Sequence, residues 1–290
     1  MRQTARFAAA LCGALLLIAA NASFAQTRSA VRDTLESSLL VTGDIRIASD
    51  GKVKEFHIDQ PDKLPGEVMQ LVDRAVPTWE FEPILLDGKP VEARSRMSLR
   101  LVAHKREDGN YVLAIRSASF TGDRDEEVDM AWFKQQKMPP PSYPPIAAAS
   151  NVSGTVYLLI KVGADGRVEQ AFAEQTNLRV LGNGREMAHW RKVLEQSAIA
   201  ATRAWKFTPS ADDPKHPVGG WTSRVPIDYS FSSSQPAYGK WQPYIPGPHL
   251  PAPWLKPDLA RAQDIDAAPA GMLAPVGENA IRLRTDLGES

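Results

Sequence analysis

Apolar and polar positions alternate along two stretches of this chain, and each stretch is followed by a run with helical spacing. In LLVTGDIRIASDGKVKEFHI (residues 39–58), Val41, Ile45 and Ile47 keep a period of two; in GTVYLLIKVGADGRVEQAFA (residues 154–173), Val156, Leu158, Ile160 and Val162 do the same. That period puts the side chains on one face of a strand. Each run then meets an Asp-Gly turn, SDGK or ADGR. Gly takes positive φ at little cost there and Asp tolerates it, so both predict hairpins. The returning strands share an irregularity: apolar residues stand at Val53, Phe56, Ile58 and at Val168, Ala171, Ala173, spaced three and then two. A β-bulge in each would bring them back to one face.

Spacings of three and four follow. LPGEVMQLVDRAVPTW aligns Val68, Leu71/Val72, Ala75 and Trp79; MAHWRKVLEQSAIAATRAW aligns Trp190, Leu194, Ser197/Ala198, Ala201 and Trp205. Both predict amphipathic helices. Pro77 predicts an end or distortion of the first helix just before its Trp. Each helix runs into Trp-x-Phe-x-Pro, as Trp79, Phe81, Pro83 and as Trp205, Phe207, Pro209, and then into another alternating run. Those runs carry Met97, Leu99, Leu101 and Val225, Ile227, Tyr229, Phe231. The expected fold class is therefore α+β: two small units of strand, strand, helix, strand, each an antiparallel sheet with one helix packed on it. In this frame the tryptophans are structural, wedged between helix and sheet, with Pro fixing the exit direction.

The second unit resembles the C-terminal domain of the TonB family over PPPSYPPIAAASNVSGTVYLLIKVGADGRV, AIAATRAWKFTPS and VPIDYSF, about residues 138–234. The first, about 36–103, keeps the Asp-Gly turn, AVPTWEFEP and DGKPVEAR but lacks the leading Tyr-Pro, and looks like a diverged copy. The resemblance implies a module without catalytic residues or cofactor that binds an extended peptide at a sheet edge. The implied partner is an envelope protein such as the N-terminal segment of a TonB-dependent outer-membrane receptor. It also implies the closing strand, residues 222–231, as the exposed edge, with Arg224, Val225, Ile227 and Asp228 as contacts. Pro226 removes one donor there.

Residues 104–137 read as a linker in which Val112 and Ala114 suggest an extra hairpin strand. The acidic run Asp123 to Asp129 lacks the Gly and terminal Glu of a calcium loop. Residues 235–290 change character: seven prolines lie between Pro236 and Pro257, interleaved with Tyr238, Trp241, Tyr244 and Trp254. This composition predicts an extended, largely disordered tail whose aromatic residues lie against the second unit.

The chain has 290 residues, with 34 basic and 34 acidic side chains. No global field draws it to nucleic acid. Two arginines, an apolar run from Phe7 and small residues at Ser23 and Ala25 predict a secretory signal over 1–25, hence a periplasmic protein; an uncleaved inner-membrane anchor, as in an energy transducer, is the alternative. Its one cysteine, Cys12, lies inside that run, so the exported chain must be held by its cores rather than by disulfides. The five histidines stand in separate segments without metal-ligand spacing, and no nucleophile motif or phosphate loop is present. An enzyme or small-ligand carrier would need a polar cluster in the cleft between units, for which the sequence offers no signal.

Overall fold

The computed structural model of the protein describes residues 35–86, 88–105, 110–121, 137–208, 220–231, 238–259, 265–277 and 280–287. Residues 1–25, expected to form a signal, the acidic run Asp123 to Asp129 and Pro209 lie outside the described residues. The first unit opens with the hairpin β1 (Glu36–Ile47) and β2 (Val53–Ile58). Helix α1 (Gly66–Ala75) follows, then a 3-10 turn over Val76–Thr78. Pro77 thus ends the α-helix one turn before Trp79, as its missing N–H requires. A short ribbon, β3 (Leu85–Leu86) and β4 (Lys89–Pro90), precedes β5 (Ala93–Lys105), which pairs with β1 along its length. β6 (Tyr111–Thr121) lies on the far side of β5 and contains Val112 and Ala114.

The second unit begins with a short helix α2 (Pro145–Ala149). The hairpin β7 (Gly154–Val162) and β8 (Val168–Leu178), helix α3 (Gly184–Thr202) and closing strand β9 (Trp221–Tyr229) complete it. Asn183 caps α3, accepting from the Glu186 N–H while the Glu186 carboxylate accepts from the Asn183 N–H, a reciprocal box that fixes the helix start. In both units the closing strand pairs with the first strand of the hairpin, giving β2-β1-β5 and β8-β7-β9. The predicted bulges are present at matching places. Lys54 is the extra residue between Val53 and Glu55, and Glu169 the extra residue between Val168 and Gln170.

Two separate cores result. Val41, Ile45, Ile47, Val68, Val72, Met97 and Leu99 are sealed in the first, and Val156, Leu158, Ile160, Leu194, Ala198 and Val225 in the second. Each of these side chains larger than Ala contributes about 1.5–3 kcal/mol of transfer free energy. Trp79 and Trp205 are both 3% exposed within their own cores. Trp79 meets Phe120 of β6 edge-on, with centroids 6.2 Å apart. The Trp205 indole donates instead to the Pro139 carbonyl at 2.9 Å. Phe231, expected in the alternating set, falls beyond the end of β9; it is exposed and lies against Tyr143.

The Trp-x-Phe motif recurs because it docks on the Asp-Gly turn. Gly51 N–H closes onto Ala48 and Gly166 N–H onto Gly163, with both glycines at positive φ, 87° and 76°. Asp50 and Asp165 each accept from the amide two residues on, at 3.0 Å. The Phe81 N–H then donates to the Gly51 carbonyl and the Phe207 N–H to the Gly166 carbonyl, both at 2.8 Å. A Cβ at position 51 would stand 2.3 Å from the Phe81 carbonyl oxygen. Gly51→Ala therefore combines left-handed strain with a backbone clash. It is expected to cost at least about 2 kcal/mol in urea unfolding.

The region beyond residue 235 differs from the expectation of disorder. Its described parts lie along sheet edges, where an extended chain finds backbone partners and Pro occupies positions that need no donor. Strand β10 (Gln242–Tyr244) pairs with the start of β1, and Ile245 bridges Leu178 of β8 through two bonds of 3.0 Å. The Leu250 N–H reaches the Glu174 carbonyl at 2.8 Å. Strand β11 (Ala274–Pro275) pairs with β9, and Leu283 enters the first core beside Phe81. The aromatic residues divide between the units: Tyr238 and Trp241 pack on the first core, while Trp254 meets Phe172 of β8.

Candidate functional site

The edge of β9, like the start of β1 and the edge of β8, carries an extended segment of the tail. Gly271 N–H donates to the Pro226 carbonyl at 2.9 Å and Val276 N–H to the Thr222 carbonyl at 3.0 Å, with Ala274 opposite Arg224 between them. These bonds place the main-chain groups of residues 222, 224 and 226 outward, away from β7. The nitrogen of Pro226 thus faces the outer edge, where its lack of hydrogen limits the ladder to an accepting carbonyl. Pro275 sits opposite Ser223, at a position from which no donor is required. The Ser223 hydroxyl adds a bond of 2.9 Å to the Ala274 carbonyl.

The four side chains that the resemblance assigns to partner contact have other employment. Val225 and Ile227 point into the second core. Arg224 and Asp228 alternate onto the opposite face, towards the first unit. There Arg224 is 3% exposed and pairs with Glu174, itself fully buried, at 2.5 Å. Glu174 is the extra residue of a second bulge in β8, between Ala173 and Gln175. Asp228 pairs with Arg179 at 2.7 Å and accepts from the Thr155 hydroxyl at 2.9 Å. What β9 offers a partner is consequently its main chain.

A second group of polar residues, unheralded by any motif or spacing along the chain, lies between the units. Arg100 of β5 donates to the Asp266 carbonyl at 3.0 Å, to the Tyr157 hydroxyl at 3.3 Å and to Ser38 Oγ at 3.4 Å. The Asp266 carboxylate, 3% exposed, accepts from Ser117 of β6, from Tyr244 of β10 and, at 3.3 Å, from Asn177 of β8. Arg100 and Arg116 also face the Tyr244 ring, 5.9 and 6.0 Å from its centroid. Burial pushes the Tyr157 phenol up to about 12, and burial followed by the charge of Asp266 raises Tyr244 further. Both phenols therefore stay protonated donors at neutral pH. The donors and acceptors of this junction satisfy one another, which is the arrangement of a structural network. A cleft of about 700 Å³ opens beside it, lined in part by Arg116, Tyr244 and His249. His249 Nε2 is buried without a hydrogen-bond partner, and desolvation holds its pKa below the ordinary value. Among the described residues no group of three or more His, Cys, Asp and Glu is placed to hold a metal ion, and no helix is long and apolar enough to cross a membrane.

The architecture is that of a small α+β module with an edge strand able to take an extended chain. Comparison with known proteins finds a likeness over one third of the chain. The chain is 32% identical over 97 residues to Protein TonB of Xanthomonas campestris pv. campestris strain B100, and equally to Protein TonB of strain ATCC 33913. The match covers 33% of this chain and 37% of each relative, and supports a TonB-like domain within it. No family model matches the chain. No solved structure matches it.

Proposed function

We propose that this protein is a periplasmic binding module of the bacterial envelope, accessory to TonB-dependent outer-membrane transport. In this reading it is not an enzyme, and it takes an extended peptide as an added strand on β9. The reading rests on one observation: β9 already carries an extended segment through main-chain bonds at Thr222, Arg224 and Pro226. Strand addition needs no more than that, because the backbone supplies affinity while side chains select. The TonB-like match, together with the leader-like residues 1–25, favours an envelope partner such as the N-terminal segment of an outer-membrane receptor. The two units, with their matching bulges and turn-docked Trp-x-Phe motifs, are read as a tandem pair in which the first copy has diverged.

Titrating the isotope-labelled chain with synthetic receptor N-terminal peptides tests this reading. Amide shifts are expected at residues 222–228 and in the segment 271–276 that lies against them, and unchanged amides along β9 would overturn it. Mass spectrometry of the purified envelope protein separates the free module from an anchored transducer. A chain beginning at Gln26 is expected; one that retains Phe7 to Ala25 would favour the transducer.

A further inference from the structure

We infer that residues 271–276 are a built-in competitor for the β9 edge, so that a partner strand enters only by displacing them; the inference rests on the peptide-edge reading above. The segment occupies the outward groups of 222, 224 and 226 through bonds at Val276, Ala274 and Gly271. Its grip is short. Only Ala274 and Pro275 form a ladder, Leu273 is the single large side chain buried beneath it, and Pro275 is exposed.

The anchors on either side are stronger and independent of β9. Before the segment, Asp266 is locked into the junction by Ser117, Tyr244 and Asn177. After it, Leu283 lies in the first core, and the flanking main chain bonds Glu80 and Glu82 at 2.7 and 2.9 Å. Release of 271–276 therefore leaves the rest of the tail in place. The segment stays tethered beside its own site, at an effective concentration of the order of millimolar. A tethered strand docked about 99% of the time lowers the apparent affinity of an incoming peptide about 100-fold.

Three full-length proteins in a Cys12→Ser background test this with one probe, a labelled synthetic peptide of residues 269–277. The first is otherwise unchanged. The second, Leu273→Ala/Val276→Pro, removes the apolar anchor and one main-chain donor; circular dichroism and thermal melting verify that it is folded. The third, Ser223→Cys/Pro275→Cys, closes a disulfide across directly opposed residues, whose Cα atoms in an antiparallel ladder are about 4.5–5.5 Å apart, within the span of the bridge. The release variant is expected to bind the probe at least about 10-fold more tightly than the parent. The oxidised lock should not bind, and should regain parental binding on reduction. Equal binding by all three overturns the competitor alone. Binding by none, with amides 222–226 of the release variant exchanging fast, overturns the peptide-edge reading and the competitor with it.

Discussion

Replacing Arg224 by Met is expected to destabilise the chain by about 3–5 kcal/mol in urea unfolding, because it strands a buried carboxylate. Glu174 has no exposed surface, and its side-chain oxygens lie 2.5 and 3.3 Å from the guanidinium. Glu174→Leu should also destabilise, since it takes the carboxylate away from a buried guanidinium. The double variant, with apolar groups of similar volume at both positions, is expected to recover to within about 1 kcal/mol of the parent, since desolvation offsets most of what a buried pair gains. His249 supplies a second readout. Its pKa is lowered by burial, raised by Glu174 and lowered again by Arg224. Removing the cation leaves the carboxylate unopposed, so the His249 titration followed by NMR should move upward in Arg224→Met. Additive single and double effects, or an unmoved His249, would mean that the pair does not act as a unit.

That pair marks where reading from the sequence stopped. The hairpins, both helices and the closing strands were legible because each writes its buried face in a simple period, and the three-then-two spacing announced the bulges at Lys54 and Glu169. Glu174 carries no such signal. Its burial depends on a further bulge and on a guanidinium fifty residues away, and alternation read from apolar residues ends at Ala173. Arg224 is a contact residue only on the resemblance, and nothing local along β9 reports that Glu174 of β8 takes its guanidinium into a buried pair.

Composition alone is a weak guide to the tail. Proline frequency argues against helices and central strands, but it does not argue against edges. Pro243 and Pro275 sit in three- and two-residue strands, opposite Ser37 and Ser223. The interleaved aromatic residues were the available clue, since Tyr238, Trp241, Tyr244 and Trp254 amount to more apolar surface than a solvated segment normally carries. Asp266 was invisible, because its three donors come from β6, β8 and β10 and no spacing along the chain connects them. A polar junction between the units therefore emerged only once the strands had been placed.

The junction couples the folding of the two units. Trp205→Ala is expected to cost about 3–5 kcal/mol, the loss of a buried indole plus the cavity it leaves. Trp205→Phe should cost about 1–3 kcal/mol, because the smaller ring fills only part of the indole's space and the bond to the Pro139 carbonyl is lost. Two separate cores would ordinarily unfold in two steps, with the damage confined to the second. Here Arg100 of the first sheet bonds Tyr157 of the second, and Asp266 ties β6 to β8. Opening either unit alone would expose Asp266 and Arg100 with their partners removed. Both variants are therefore expected to lower one shared transition: hydrogen exchange at Met97, Leu99 and Leu101 should accelerate together with exchange at Leu158 and Ile160. Two resolved transitions, with the first unit keeping its protection, would make the junction a contact between independent domains rather than the bond that joins their stability.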